Sequence, residues 1–309
     1  MMEKALIPFK IKIFMLVLLL LSIALYASGC IVLVQSGYKL SDYADELNIK
    51  PKDFKYNFDL NKFNFDFNAS STSKDYTIND NINEIDFNLN SQDVKVINYD
   101  GDALNVQIKS HNTTSNELSE TESGNKLILD ARYYTPNDST ILVNVPKKFQ
   151  DRGTLKIVTS SGDVNISNLS LNTLNVSSAS GSIKASDLDL TYLNFNTSSG
   201  DIYFNNTKTS SETKLNSSSG DINGSGNLGI ITGSTSSGDI NLQFINSLNN
   251  MSLSTHSGSV ILSMPKGFGY KINYETVSGD LSSPNNRLTS GDESSLININ
   301  TVSGDLNIK

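Results

Sequence analysis

A tripeptide turn repeated eight times through the C-terminal half constrains this chain more than any other feature. Each copy is an apolar alternation ending in Thr or Ser, then Ser-Gly-Asp or Ser-Gly-Ser, then a second alternation. The glycines are Gly162, Gly181, Gly200, Gly220, Gly238, Gly258, Gly279 and Gly304, at spacings of 19, 19, 20, 18, 20, 21 and 25. Periods near twenty residues belong to solenoids, in which no single repeat can bury its own apolar face.

The register inside each repeat selects the kind of solenoid. Seven residues before each glycine stand Leu155, Leu174, Leu193, Thr213, Ile231, Met251, Ile272 and Ile297. Two residues after it stand Val164, Ile183, Ile202, Ile222, Ile240, Val260, Leu281 and Leu306. Both flanks have period two, so each repeat reads as two short strands around a Ser-Gly corner. Stacked repeats bring equivalent strands to about 4.8 Å and align the apolar columns. The expected fold is all-β, a parallel β-solenoid or β-helix of about twenty-residue rungs. The corner glycines are expected at positive φ, where a Cβ is costly. Three residues before each glycine every copy has Thr or Ser, expected to face inward and bond turn amides or one another.

Upstream, Ile13 to Val34 form an apolar, uncharged stretch that would span roughly 33 Å as a helix, enough to cross a bilayer. Lys4, Lys10 and Lys12 precede this run, whereas Asp42, Asp45 and Glu46 dilute Lys39 after it. The positive-inside rule then puts residues 1–12 in the cytoplasm, residues 13–34 in the membrane and the remainder outside. Ala27-Ser28-Gly29-Cys30 resembles a lipobox, which makes acylation of Cys30 the alternative. Tyr26 and the continuing run Ile31 to Val34 favour the uncleaved anchor. Cys30 is the sole cysteine, so no intrachain disulfide forms.

Residues 35–81 read as a juxtamembrane segment and cap. Ser41 to Asn48 suit a short helix, and Phe54, Tyr56, Phe58, Phe63, Phe65 and Phe67 alternate as strands suited to covering the solenoid's N-terminal end. Ala69 to Tyr76 read as a loop. From residue 82 the strands resume, and Ser91-Gln92-Asp93 is the corner with Gln92 in glycine's place. Residues 82–309 therefore read as one solenoid domain.

Ile141-Leu142-Val143-Asn144-Val145-Pro146-Lys147, Leu155 through Val164 and the closing Thr301-Val302-Ser303-Gly304-Asp305-Leu306 resemble the bacterial putative-adhesin family, domain of unknown function 4097. The resemblance covers residues 82–309 and extends to the family's usual N-terminal anchor. It implies a right-handed β-helix-like fold on a surface protein, in a family some of whose members accompany envelope-stress regulators, and it carries over no catalytic residue.

The remaining chemistry is sparse. Net charge is −8 with no basic stripe, which argues against nucleic acid. The only histidines, His111 and His256, have no cysteine partners, and the serines are explained by the repeat, so neither zinc nor a nucleophile is indicated. No cofactor is expected. The position after each glycine carries Asp163, Asp201, Asp221, Asp239, Asp280 and Asp305. Carboxylates about 4.8 Å apart repel by about 1 kcal/mol in water, so something must offset the repulsion. Bonds from turn amides are the simpler answer, and calcium bridging Asp201, Asp221 and Asp239 is the alternative. The function expected is a non-enzymatic, membrane-anchored interaction or structural module of the envelope, touching an envelope protein or cell-wall polymer. A carbohydrate-processing β-helix enzyme is the alternative from another class. With no capping segment after Leu306-Asn307-Ile308-Lys309, that rung is expected to be the open end, covered by residues 282–295 or available for self-association.

Overall fold

The computed structural model describes residues 70–110, 117–132, 135–136, 138–284 and 287–309, all within one compact unit, Phe67–Lys309. The expected anchor at 13–34, Cys30, the helix at 41–48, the aromatic segment and His111 lie outside the described residues. Among the described residues no helix is long and apolar enough to cross a membrane.

The strands in chain order begin with β1 (Ser70–Tyr76), β2 (Glu84–Asn88), β3 (Asp93–Tyr99), β4 (Leu104–Ser110), β5 (Ser119–Ser123), β6 (Lys126–Asp130) and β7 (Thr140–Pro146). A 3-10 turn at Lys147–Phe149, placed where Pro146 ends the ladder, leads to β8 (Thr154–Thr159). Three long strands follow, β9 (Val164–Ser178), β10 (Ile183–Thr197) and β11 (Ile202–Ser217), then β12 (Ile222–Asn227), β13 (Ile230–Thr235), β14 (Ile240–Phe244), β15 (Met251–Thr255) and β16 (Val260–Ser263). The last are β17 (Tyr270–Glu275), β18 (Leu281–Ser282), β19 (Thr289–Ser290), β20 (Ser295–Thr301) and β21 (Leu306–Ile308). All join one continuous, mostly parallel sheet wrapped around a single apolar core.

The stacking register is the one set by the repeat. Leu155 faces Leu174, then Leu193, Thr213, Ile231 and Met251 follow in one column. Val164, Ile183, Ile202, Ile222, Ile240 and Val260 form the other, each 0 % exposed. The extra residue that lengthens one spacing to twenty is absorbed as a bulge in β11, where the register with β10 shifts between Leu190 and Tyr192.

Each long strand contains a further bend. Asn168, Asp187 and Asn206 hold φ of 56°, 56° and 44°, and inward parity changes there. Val164 and Ile166 point in before the bend of β9, and Leu169 and Leu171 after it. Asn and Asp tolerate this left-handed conformation better than other side chains, so they recur at the corner. These rungs therefore have a third side, which the expectation of two strands per repeat omits.

At both ends the rungs are stacked out of sequence order. Met251 is followed in space by Ile297 and only then by Ile272, and Val260 by Leu306 and then Leu281. The rung of β20 and β21 is thus inserted beneath the rung of β17 and β18. This corrects the expectation that Leu306–Lys309 form the open end, because β21 is hydrogen-bonded on both edges. The end rung is residues 270–282. Within the segment expected to cover the end, Thr289–Ser290 pair antiparallel with Tyr270 and Lys271, at the start of the end rung. At the other end the rung of β6 and β7 lies outside that of β2 and β3. Antiparallel strands then close this end: β5 pairs with β6, β4 with β7, and β1 with β4. Ser70–Tyr76 is accordingly a strand and not a loop.

Candidate interaction surface

The corner column is the most ordered chemical array in the molecule, and its glycines are not there for the reason expected. None of the eight corner glycines has positive φ; that conformation belongs to Gly124, Gly267 and Gly291. The requirement is contact. A Cβ on Gly181, Gly200, Gly220, Gly238, Gly258, Gly304 or Gly279 would fall well within 3.0 Å of the carbonyl of the glycine stacked beneath it, and on Gly162 within the same distance of the Gln92 carbonyl. Backbone lies on backbone at every step, leaving no room for a side chain. At the one corner with a side chain, the buried Gln92 amide donates to the carbonyls of Thr135 (3.0 Å) and Ala131 (3.3 Å).

The Thr/Ser column closes each corner from inside. The amides of Gly181, Gly200, Gly220, Gly238 and Gly258 donate to the hydroxyls of Ser178, Thr197, Ser217, Thr235 and Thr255 at 2.8, 3.1, 2.8, 3.1 and 2.9 Å. The hydroxyls of Thr197, Ser217, Thr235 and Thr255 in turn donate to the glycine carbonyl of the rung below, at 3.2 to 3.4 Å. A buried polar group is thereby satisfied on both sides.

The Asp edge offsets its own repulsion by the same kind of bond. Asp201 Oδ1 accepts the amide of Asp221 (2.8 Å), Asp221 Oδ1 that of Asp239 (2.8 Å), and Asp239 Oδ1 that of Ser259 (2.7 Å). The pattern recurs from Asp93 to Asp163, Asp163 to Ser182 and Asp305 to Asp280. The three candidate calcium ligands do come together on successive rungs, each with one oxygen committed to a neighbouring amide. Among the described residues, no group of three or more His, Cys, Asp or Glu is arranged to hold a metal ion.

The outward faces are flat and amide-rich. On the face preceding the corner, Asn175, Asn194, Lys214, Thr232, Ser252, Asn298 and Asn273 stand in one line. Within such lines Asn273 Nδ2 donates to Asn298 Oδ1 (2.9 Å) and Ser234 Oγ to Asn216 Oδ1 (2.9 Å). Tyr192 and Tyr203 rise from these faces at 43 % and 38 % exposure. Beside the corner, Ser234, Ser254, Asn300, the exposed His256 and Val302 line a shallow groove of about 340 Å³, whose lining includes no Asp, Glu, Lys or Arg.

Titratable groups with displaced affinity sit at the N-terminal end. Burial pushes the Asp86 carboxyl above its ordinary 3.8, partly countered by Lys126, whose Nζ lies 3.1 Å from Asp86 Oδ2 and 2.8 Å from Glu84 Oε1. The Tyr76 hydroxyl is pushed up to about 12 by burial and by Glu120 and Glu117. Neither group borders the groove.

Sequence reasoning missed the third side of this surface, which could have been found from Asn168, Asp187 and Asn206, recurring every 19 residues.

Comparison with known proteins follows the geometry. No curated protein matches the chain. Among solved structures, a putative adhesin from Bacteroides fragilis is 14% identical, with 78% of this chain and 97% of that one covered, at a TM-score of 0.47. A putative adhesin from Parabacteroides distasonis is 12% identical over 78% and 97%, at 0.42, and a putative cell adhesion protein from Clostridium sporogenes 14% identical over 78% and 99%, at 0.28. The profile of the toastrack family matches residues 82–309, the whole repeat array and its early rungs. The chain belongs to the toastrack family, domain of unknown function 4097.

Proposed function

We propose that this protein is a non-enzymatic interaction module of a bacterial envelope, held by an uncleaved anchor at residues 13–34 with the solenoid outside the cell. The observation that supports this most is membership of a family of putative adhesins to which no reaction is assigned. The surface agrees with it: long, flat lines of amides and hydroxyls suit weak, repeated contacts with a polar partner. The lysines preceding the apolar run support the orientation.

Two measurements test the reading. Protease added to intact protoplasts should remove the solenoid, and protection of the whole chain would reverse the orientation. The purified full chain should sediment with isolated cell-wall material, less so when Asn194, Asn216 and Asn298 are changed together to Ala. Turnover of wall polysaccharide by the same preparation, lost on substitution of a titratable residue, would replace this function with the enzymatic one.

A further inference from the structure

The last two rungs are near-copies of one another, and the one later in sequence lies inside. Residues 276–281 and 301–306 both read Thr-Val-Ser-Gly-Asp-Leu, and Ile272-Asn273 is matched by Ile297-Asn298. The pairing sets Ile272 on Ile297 and Leu281 on Leu306, and beneath them Met251 and Val260 offer the same two columns. Chain length does not decide which copy takes the inner place. From Gly162 to Gly258 each corner climbs one rung in 18 to 20 residues, whereas Gly258 to Gly279 climbs two in 21 and Gly279 to Gly304 steps back one in 25. In sequential order each connection would climb one rung, within a length the chain already has. Both connections turn at residues of positive φ, Gly267 in the first and Gly291 and Glu293 in the second. The inner corner is also tied down differently. The hydroxyls of Thr197, Ser217, Thr235 and Thr255 reach the glycine carbonyl beneath, whereas that of Thr301 lies 2.9 Å from the carbonyl of its own Gly304.

One buried position separates the two orders. Ile299 fills its column at 0 % exposure where the other rung carries Tyr274, which favours the observed order because isoleucine has no hydroxyl to satisfy. Tyr274 is nonetheless accommodated either way. Its hydroxyl donates to the corner carbonyl directly beneath, Gly304, at 2.8 Å, and Gly258 presents the same carbonyl one rung lower. On the surface the exchange changes a charge. Ser254, Asn300 and Glu275 stand in one outward line, and Ser254, Asn300, His256 and Val302 line the groove beside the corner. Val277 would replace Val302 like for like, but Glu275 would replace Asn300 and set a carboxylate beside His256. We propose that the two C-terminal rungs are interchangeable in the folded protein and that their order switches this groove between an amide and an acid lining. In the observed order the groove suits neutral polar groups; in the exchanged order it suits a cationic one, such as an amine. Two packings of one repeated sequence lie close in energy, so a ligand that prefers either lining shifts the population.

Paired cysteines distinguish the orders, in the full chain in non-ionic detergent with Cys30→Ser removing the sole native thiol. Ser252, Asn298 and Asn273 stand in one outward line. Ser252→Cys/Asn298→Cys joins neighbours in the observed order, about 4.8 Å apart. Ser252→Cys/Asn273→Cys joins neighbours only in the exchanged order; in the observed one they lie about 9.6 Å apart, beyond the roughly 7 Å a disulfide can span. Under mild oxidation the first pair should close quickly, and the second more slowly but within a single chain. Tyr274→Ile, which makes the rungs alike in that column, should speed the second closure several-fold. A second pair that stays reduced overturns the proposal, as does a bond formed only between two chains. Hydrogen exchange of the closed second pair separates exchange from local unfolding: residues 297–301 should keep protected amides as the new outer rung, and their full exposure overturns the exchange. Spermidine, as a cationic probe, should speed the second closure several-fold, and Glu275→Gln should abolish that effect. Closure indifferent to spermidine overturns the acid lining while leaving the exchange.

Discussion

Gly200→Ala is the substitution that most directly tests how the corners work. An added Cβ would fall within 3.0 Å of the carbonyl oxygen and carbon of Gly181 and of the amide nitrogen of Ser182. All three are backbone atoms, so no side chain can rotate away and the rungs must part. Overpacking of this kind costs about 1–3 kcal/mol. Parting them also weakens the Thr197 hydroxyl bond to the Gly181 carbonyl of the rung beneath (3.4 Å), at about 0.5–1.5 kcal/mol. The total is about 1.5–4.5 kcal/mol, which lowers the melting temperature of a domain this size by roughly 5–10 °C. Differential scanning calorimetry of both proteins measures it. The control is Gly124, at φ 64° with nothing within 4 Å of its absent Cβ. Strain alone acts there, so Gly124→Asn should be nearly neutral, since Asn tolerates that conformation, whereas Gly200→Asn should be as harmful as Gly200→Ala. A mild Gly200→Asn combined with a harmful Gly124→Asn would refute the contact argument.

Three further outcomes follow from the same geometry. Thr197→Val keeps shape and loses both hydroxyl bonds, and should destabilise by about 1–3 kcal/mol, read by chemical denaturation; Thr197→Ser should retain most of the stability. Asp221→Ala strips the Asp239 amide of its acceptor and should cost about 1 kcal/mol, while Asp221→Asn, which keeps an oxygen there, should cost less; millimolar Ca²⁺ should leave both melting temperatures unchanged. Asp86 is held above 3.8 by burial, so its folded affinity for a proton exceeds the unfolded one. Its contribution to stability is present in acid and lost as pH rises through the raised value. Asp86→Asn should therefore gain stability relative to the parent as pH rises from the acid side toward neutrality, and a constant difference across that range would contradict the assignment.

The columns were legible because one physical constraint writes them twice. Leu155, Leu174 and Leu193 must share an interior, and period-two spacing from the corner fixes which face they take, so sequence register and observed pairing agree. The inward Thr/Ser column was legible for the same reason. The cause of the corner glycines was not, because close backbone contact and positive φ leave the same residue in the sequence. Rung order was hidden more deeply. Ile272 and Ile297 are equivalent on the Met251 column by chemistry and spacing, and nothing local says which is adjacent. Antiparallel β1 and β5 were obscured by composition, since Ser-Ser-Thr-Ser and Ser-Glu-Thr-Glu-Ser on exposed edges have no apolar alternation to read.

The interchanged rungs at 270–282 and 295–309 set a problem for assembly in time. After β8, as far as β16, each rung can add to the one made just before it, in the order of synthesis. Here the earlier-made segment must wait, because its final neighbour has yet to arrive, while β15 and β16 offer it an apolar column that fits nearly as well. Premature docking would bury most of the right side chains and then have to be undone before residues 295–309 could enter. The last step of folding is thus an insertion between two layers and not an addition to a surface. Refolding should show a slow phase tied to this end of the molecule, and it should vanish when residues 264–309 are removed.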